Sequence, residues 1–123
     1  MELAATDGKF SAEDRFYTDP EYFSDFADAL LAFPAALSAE AIWEIGSEDG
    51  TAGRHIRLRV YLHDGLGHAA IEVTMDNRRP APDLAKAMFH LPCEVAAINR
   101  LGAKLKAWIV KPQDPLIWQP ETG

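Results

Sequence analysis

The chain has 123 residues, of which 48% are hydrophobic and 25% are charged, and this composition excludes a disordered or fibrous protein. Its net charge of -7 repels phosphate backbones and anionic lipid, which argues against nucleic acid and membrane surfaces as partners. The charge is uneven, because residues 1–49 hold twelve acidic against two basic side chains, whereas residues 50–123 carry a net charge of +3.

The cellular location is predicted from three features. The single cysteine, Cys93, cannot form an internal disulfide, and the first residues have neither a basic nor an apolar signal region. The longest apolar stretch, residues 29–37, is interrupted by Pro34 and is shorter than the roughly 20 residues of a membrane-spanning helix. We therefore expect a bacterial-style cytoplasmic protein.

The N-terminal part predicts an arm followed by a helix. Residues 1–15 have no periodicity, so we expect an arm of low order or a short edge strand. Thr18 is a candidate cap, Pro20 has a preset φ for the first turn, and Glu21 occupies the capping-box position. The apolar residues that follow share one helical face: Phe23, Phe26, Ala27, Leu30 and Leu31. The helix is expected to end near Pro34.

The hydrophobic period changes to two beyond residue 40, which predicts three antiparallel strands. The first covers residues 41–46 and is followed by turn residues at 47–53. The second covers residues 55–63, and a tight connection joins it to the third, residues 68–76. One face of this meander is apolar: Trp43, Ile45, Ile56, Leu58, Val60, Leu62, Ile71, Val73 and Met75.

Two C-terminal helices and a tail are predicted after the meander. Residues 77–82 end the sheet, because their two prolines cannot donate to a ladder. Apolar residues at helical spacing then predict one helix before Pro92 and a longer one up to about Val110. Residues 111–123 form a proline-rich tail, which we expect to dock on the domain or on a partner.

The predicted fold is therefore α+β, with one domain over residues 16–110. It has an N-terminal helix, a three-stranded antiparallel β-meander, and two C-terminal helices packed on one sheet face. The expected register pairs Arg59 with Glu72 and Glu44 with Arg57, which gives a basic central strand flanked by acidic strands.

The polar face of this sheet is the first candidate binding surface. Arg57, Arg59, Tyr61 and Glu72 are predicted at its centre. The alternative is a solvated face with ion pairs, which is common for sheets with one wet side.

The hairpin end is a second candidate surface, formed by His63 and His68. A metal site can be drawn there with Asp64 or Glu72, but no metal-binding motif supports it, so no metal and no cofactor are expected. Cys93 is interpreted as a small buried thiol rather than a nucleophile. Asn99 is interpreted as an amide bonded to loop backbone rather than as a pocket residue.

Three segments carry a family resemblance: FYTDPE at residues 16–21, GLGHAAIEV at residues 65–73 and EVAAINRLG at residues 94–102. They resemble small bacterial proteins of families of unknown function, distantly similar to the immunity-like proteins found near polymorphic toxin genes. The resemblance covers about residues 10–110 and implies no catalytic residues.

Two classes of function remain open. The first is a non-enzymatic protein-binding role, of the immunity or accessory type, in which the acidic residues Glu21, Asp25 and Asp28 steer association with a basic protein. The second is a small enzyme that uses His55 or a hairpin histidine as acid or base and an arginine of the polar face as anion clamp. A homodimer through the sheet edge or the tail is a further possibility.

Overall fold

The computed structural model describes residues 2–16, 18–35, 39–46 and 54–119. The chain opens with a β-hairpin in which β1 (Glu2–Thr6) pairs with β2 (Ser11–Arg15). The turn is closed by Asp7, whose Oδ1 accepts hydrogen bonds from the main-chain nitrogens of Lys9 and Phe10 at 2.8 and 2.7 Å. The segment predicted as an arm of low order or a short edge strand is thus a two-stranded sheet.

A short helical segment follows the hairpin. A 3₁₀ turn (Pro20–Phe23) leads into α1 (Ser24–Leu31). The cap is Asp19 rather than the expected Thr18, because the Asp19 carboxylate accepts a hydrogen bond from the Glu21 nitrogen at 3.0 Å. The predicted apolar face is buried except for Leu31, which lies at the end of the helix and is 41% exposed.

In the described part of the chain, the main sheet has four antiparallel strands rather than the expected three. They are β3 (Glu40–Ile45), β4 (His55–Leu62), β5 (His68–Asp76) and β6 (Lys86–Glu94), and they lie in this order. The predicted register is confirmed, since Glu44 faces Arg57 and Arg59 faces Glu72.

The helix predicted before Pro92 is wrong, because these residues form the edge strand β6. The buried side chains of β6 have period two rather than the helical period: Ala87, Phe89, Leu91 and Cys93 face the core. In the β5–β6 ladder Val95 donates to the Gly67 oxygen and Asn77 donates to the Ala85 oxygen. Hydrogen-bonded pairs alternate along an antiparallel ladder, so Pro92 lies where its nitrogen points away from β5. An edge strand therefore accepts this proline without losing a ladder hydrogen bond.

The fold-class prediction of a helix, a three-stranded meander and two C-terminal helices is corrected accordingly. A hairpin precedes the first helix, and the strand β6 replaces the first of the two predicted C-terminal helices. The second of these is confirmed as α2 (Val95–Val110). No helix in the described part of the chain is long and apolar enough to cross a lipid bilayer.

The core lies between the apolar face of the main sheet and the two α-helices. Ile56 and Val60 are fully buried, whereas Arg57 and Arg59 lie on the opposite face and are partly exposed, as the alternation predicts. His55 differs from the expectation: the alternation predicts it on the wet face, but it is only 3% exposed.

The two α-helices approach each other closely at Gly102 of α2. A Cβ atom added there would lie 2.8 Å from the Leu31 nitrogen and 3.0 Å from the Ala27 oxygen. The absence of a side chain thus permits the helix contact. Next to it, the Asn99 amide donates to the Leu30 and Phe33 oxygens at 2.9 and 3.0 Å, which confirms its structural interpretation.

The described part of the tail, residues 111–119, runs back along α2. Trp118 Nε1 donates to the Ala97 oxygen at 2.9 Å, and Lys104 Nζ donates to the Ile117 oxygen at 3.0 Å. Trp118 and Leu116 also pack against the core. The tail is expected to dock on the domain or on a partner, and in the structure it docks on the domain.

Candidate functional site

Glu72 is the centre of the polar sheet face, since β5 places it between Arg59 of β4 and His90 of β6. Its Oε1 accepts a hydrogen bond from Arg57 Nη1 at 3.2 Å, and its Oε2 accepts one from Arg59 Nη1, also at 3.2 Å. His90 Nε2 lies 3.8 Å from the same Oε2. One partly buried carboxylate therefore joins two guanidinium groups and an imidazole.

Two glutamates of β3 extend this network. Arg59 Nε donates to the Glu40 carboxylate, and this hydrogen bond raises the pKa of Arg59. Glu44 Oε2 lies 4.0 Å from Arg57 Nε and 2.6 Å from His55 Nε2. The contact with Glu44 gives the buried His55 ring a polar partner.

A tyrosine and a histidine lie at the other end of the network. The Tyr61 hydroxyl is 2.7 Å from His90 Nδ1, and the two rings meet edge to face with centroids 5.8 Å apart. The guanidinium carbon of Arg59 lies 4.4 Å from the centre of the Tyr61 ring, within cation–π distance. The strands thus bring Arg59, Tyr61, His90 and Glu72 into one continuous set of contacts.

The predicted centre of the polar face, Arg57, Arg59, Tyr61 and Glu72, is therefore assembled as the register implied. Its two arginines form ion pairs with a glutamate of the same face. An external anion would have to compete with this carboxylate for either arginine. Two described cavities of the molecule, one under the tail and one beside β2, are lined by other residues. The described charged contacts of this face are ion pairs among its own side chains.

His63 and His68 lie apart from this network, at the β4–β5 hairpin end. The His63 nitrogen donates to the His68 oxygen at 2.8 Å, which closes the turn. Asp64 Oδ2 lies 2.7 Å from His68 Nδ1, and this hydrogen bond raises the pKa of His68 and lowers that of Asp64. Both histidines are exposed, and the Asp64 side chain also accepts from the Leu66 nitrogen at 2.7 Å. This arrangement organises the turn.

The acidic residues predicted to steer a partner lie on the 3₁₀ turn and α1. Glu21, Asp25 and Asp28 are all exposed or partly exposed. Asp28 Oδ1 lies 2.8 Å from Lys106 Nζ of α2, so its charge is balanced within the fold. Glu21 and Asp25 contribute more to the negative field than Asp28 does.

An apolar groove that the sequence reasoning missed lies beneath the tail, and we call it the tail groove. Its volume is about 810 Å³. It is lined by residues of β1, the 3₁₀ turn and the segment before it, α1, β4, α2 and the tail: Leu3, Ala4, Thr18, Pro20, Phe23, Phe26, Leu58, Leu101, Leu105, Trp108, Pro112, Gln113, Asp114, Pro115, Leu116, Ile117 and Trp118. Asp114 is the one charged side chain among these described residues.

The missed features left different signals in the sequence. His90 escapes the sequence reasoning because residues 84–91 also fit a helix, although Phe89, Leu91 and Cys93 alternate with polar or exposed residues. For the tail groove the signal is the apolar Leu116–Trp118 segment, which is expected to dock. The concavity beneath it is formed by residues that are far apart in the sequence, from β1 to α2, and no local pattern predicts it.

No group of three histidine, cysteine, aspartate or glutamate side chains that could hold a metal ion occurs among residues 2–16, 18–35, 39–46 and 54–119. Burial raises the pKa of the Cys93 thiol to about 11, which is the wrong direction for a nucleophile at neutral pH. No family model, curated protein or solved structure matches the chain.

Proposed function

We propose that the protein is a non-enzymatic, cytoplasmic protein-binding factor, of the immunity or accessory type, that recognises a basic partner. The observation that supports this function is the chemistry of the tail groove. Its walls are apolar, and Asp114 is the one ionisable group among the described residues that line it, so it offers no acid–base pair for catalysis.

The charge distribution supports a basic partner. Residues 1–49 carry a net charge of -10, and Glu21 and Asp25 are part of it. Opposite fields raise association rates by roughly 10- to 1000-fold at low salt. Binding of a basic protein would therefore be fast and strongly dependent on salt.

The test combines capture with kinetics. The tagged full chain is used to capture proteins from its source cells, and each captured protein is purified and its association rate measured at about 50 and 500 mM salt. We expect a basic partner whose association rate falls at least about tenfold at the higher salt. Failure to obtain any purified partner that binds directly, or a rate independent of salt, overturns the proposal.

Charge-neutral variants give this test a matched control. Glu21→Gln and Asp25→Asn should each slow association, because they weaken the field of α1 and its 3₁₀ turn. Asp83→Asn, at an exposed site in the loop between β5 and β6, removes the same charge elsewhere and should have a smaller effect. Equal effects at all three sites would show that only the net charge matters, and would contradict a specific acidic surface.

A small enzyme is the second candidate, and one observation favours it. Tyr61, His90 and Glu72 lie in series, with 2.7 Å between the Tyr61 hydroxyl and His90 Nδ1 and 3.8 Å between His90 Nε2 and Glu72 Oε2. Such a series resembles a nucleophile, a base and an orienting carboxylate. A panel of ester and phosphoester substrates tests it: turnover that is lost in both Tyr61→Phe and His90→Gln supports the enzyme, whereas unchanged partner binding in these variants supports the first function.

Self-association through the sheet is less favourable than the sequence suggested. The outer edge of β6 contains Pro92, which has no N–H to donate to a second copy. On the outer edge of β3, the Tyr22 hydroxyl already donates to the Glu44 oxygen at 2.8 Å. Light scattering of the purified chain measures the oligomeric state directly, and a dimer would restore the tail as the candidate contact.

A further inference from the structure

The described tail is attached to the rest of the chain through side chains. Its two hydrogen bonds to α2 are those of Trp118 with Ala97 and of Lys104 with Ile117. No main-chain to main-chain hydrogen bond joins residues 112–119 to the described part of the domain outside the turn at Lys111. Residues 111–114 form a turn, and residues 115–119 belong to no helix or strand. A similar segment can therefore displace the tail without disrupting a sheet or a helix.

The tail does not fill the concavity beneath it. About 810 Å³ remains, which lies within the range of roughly 300–1,000 Å³ found for ligand sites. Aromatic and aliphatic side chains, including Phe23, Leu105 and Trp108, form the floor. A segment with bulkier or more numerous apolar side chains than the tail has room to bind here.

One wall of the tail groove has the hydrogen-bonding groups of a strand edge. In the β1–β2 hairpin the Asp7 nitrogen donates to the Phe10 oxygen, and hydrogen-bonded pairs alternate from there. Ala4, which lines the groove, therefore directs its main-chain N–H and C=O away from β2. No described residue forms a main-chain hydrogen bond with these groups. An extended peptide can use them, whereas a purely apolar small molecule cannot.

We propose that the tail groove is a docking site for an extended segment of a partner protein that carries aliphatic and tryptophan-like anchors. The chain's own tail occupies part of this site until the partner segment displaces it. The tail itself indicates the chemistry of this segment, since Leu116 and Trp118 line the groove and pack against the core. This inference rests on the proposed protein-binding function and names the site at which it operates.

The test uses a fluorescent synthetic peptide that copies residues 111–119 and full-length Trp118→Ala protein. The variant should bind the peptide in an anisotropy titration, because its own tail has lost its anchor. Wild-type protein should bind at least about tenfold more weakly, since its tethered tail competes at an effective concentration in the millimolar range. A peptide with alanine in place of its tryptophan should lose at least about tenfold in affinity.

A matched pair of lysine variants locates the binding site. In the Trp118→Ala background, Lys104→Ala removes the donor to the tail backbone and should weaken peptide binding. Lys106→Ala removes the same charge from the same helix, but Lys106 pairs with Asp28, so peptide binding should be unchanged. Equal behaviour of the two variants would show that the peptide binds elsewhere, and overturns the inference.

A second measurement does not depend on any variant. The ¹⁵N-labelled wild-type chain is titrated with unlabelled peptide, and the indole N–H signal of Trp118 is followed by NMR. Displacement of the tail should move this signal to the position of a solvated indole, whereas a signal that stays unchanged at millimolar peptide overturns the inference. If the peptide binds but no natural protein partner is found, the proposed function is contradicted and the docking site in the groove is not. If a natural partner binds without displacing the tail, the docking site is contradicted and the proposed function is not.

Discussion

The side-chain amide of Asn99 donates to the Phe33 oxygen at 3.0 Å, across 66 positions of sequence. It also donates to the Leu30 oxygen at 2.9 Å. The last carbonyl groups of a helix have no partner within the helix, so this amide of α2 serves as a cap for the end of α1. The contact links the two helices that cover the sheet.

Replacing Asn99 with alanine should therefore lower the free energy of unfolding by about 1–3 kcal/mol, because main-chain oxygens in a partly buried setting lose their donor. Urea denaturation followed by circular dichroism measures the change. Arg100→Ala, at the next and exposed position of the same helix, is the control and should cost less than about 0.5 kcal/mol. Equal losses in the two variants would show that the amide does not act as a cap.

Gly102 is a second point at which α1 and α2 depend on each other. In an open helix, alanine is more favourable than glycine by about 1 kcal/mol. At Gly102 the added Cβ would lie 2.8 Å from the Leu31 nitrogen, so Gly102→Ala should destabilise by about 1–3 kcal/mol. At the exposed Ala103, the reverse change Ala103→Gly should also destabilise, by about 1 kcal/mol. Glycine is thus preferred at position 102 and alanine at position 103, which is the result expected for a close helix contact at Gly102. A stabilising Gly102→Ala would contradict this contact.

The two faces of the main sheet should respond differently to truncation of neighbouring residues. Val60 is fully buried, and Val60→Ala should cost about 1–4 kcal/mol. The Arg59 side chain is 26% exposed, and Arg59→Ala should cost under about 1 kcal/mol, since ion pairs in contact with water contribute little. Denaturant unfolding at low and high salt compares them. If Arg59→Ala proves as damaging as Val60→Ala, the network around Glu72 is a major source of stability.

The sequence is sufficient to predict the three strands from residue 41 to Asp76 and their register. The strands there alternate apart from single positions such as Ile42 and His55, and the pairing of Arg59 with Glu72 leaves few alternatives. The same reasoning fails for β6. Leu84, Ala87, Met88 and Leu91 also fit a helical spacing, and a proline inside a strand counts against the assignment unless the strand is known to be an edge.

The site is predictable only in part, for a related reason. The polar face follows from period two alone, so the alternation and the register are enough to place Arg57 and Glu72 together. The contact of Tyr61 with His90 needs β6 beside β5, and the tail groove needs β1, α2 and the tail placed around one cavity. These are long-range contacts that no local pattern specifies.

The Asp64–His68 pair predicts a dependence of stability on pH. Folding raises the pKa of His68 above its ordinary 6.5 through the hydrogen bond to Asp64. The stabilisation is complete below about pH 6.5 and is lost as the pH rises through the raised value. Folding lowers the pKa of Asp64 below 3.8, so its contribution is present above that pH and is lost as the pH falls through the lowered value.

NMR titration of the His68 ring signals measures this effect. Asp64→Asn should lower the pKa of His68, because the main cause of its raised value is removed. In urea unfolding, the wild-type chain should lose stability relative to His68→Gln as the pH increases from 6.5. An unchanged His68 pKa in Asp64→Asn would show that the pair does not form in solution.

The reactivity of the Cys93 thiol tests whether this side chain is buried. Its side chain faces the core from β6, and burial raises its pKa to about 11, so on the order of one molecule in a thousand has a thiolate at pH 8. A disulfide reagent that absorbs on reaction should therefore modify the native chain at least about 100-fold more slowly than the chain in guanidinium. Cys93→Ser is the blank.

Reaction of the native chain that accelerates with low urea would indicate opening of β6, since this edge strand pairs on one side only. Equally fast reaction in native and unfolded protein would place the thiol at the surface and contradict the inward face assigned to Cys93.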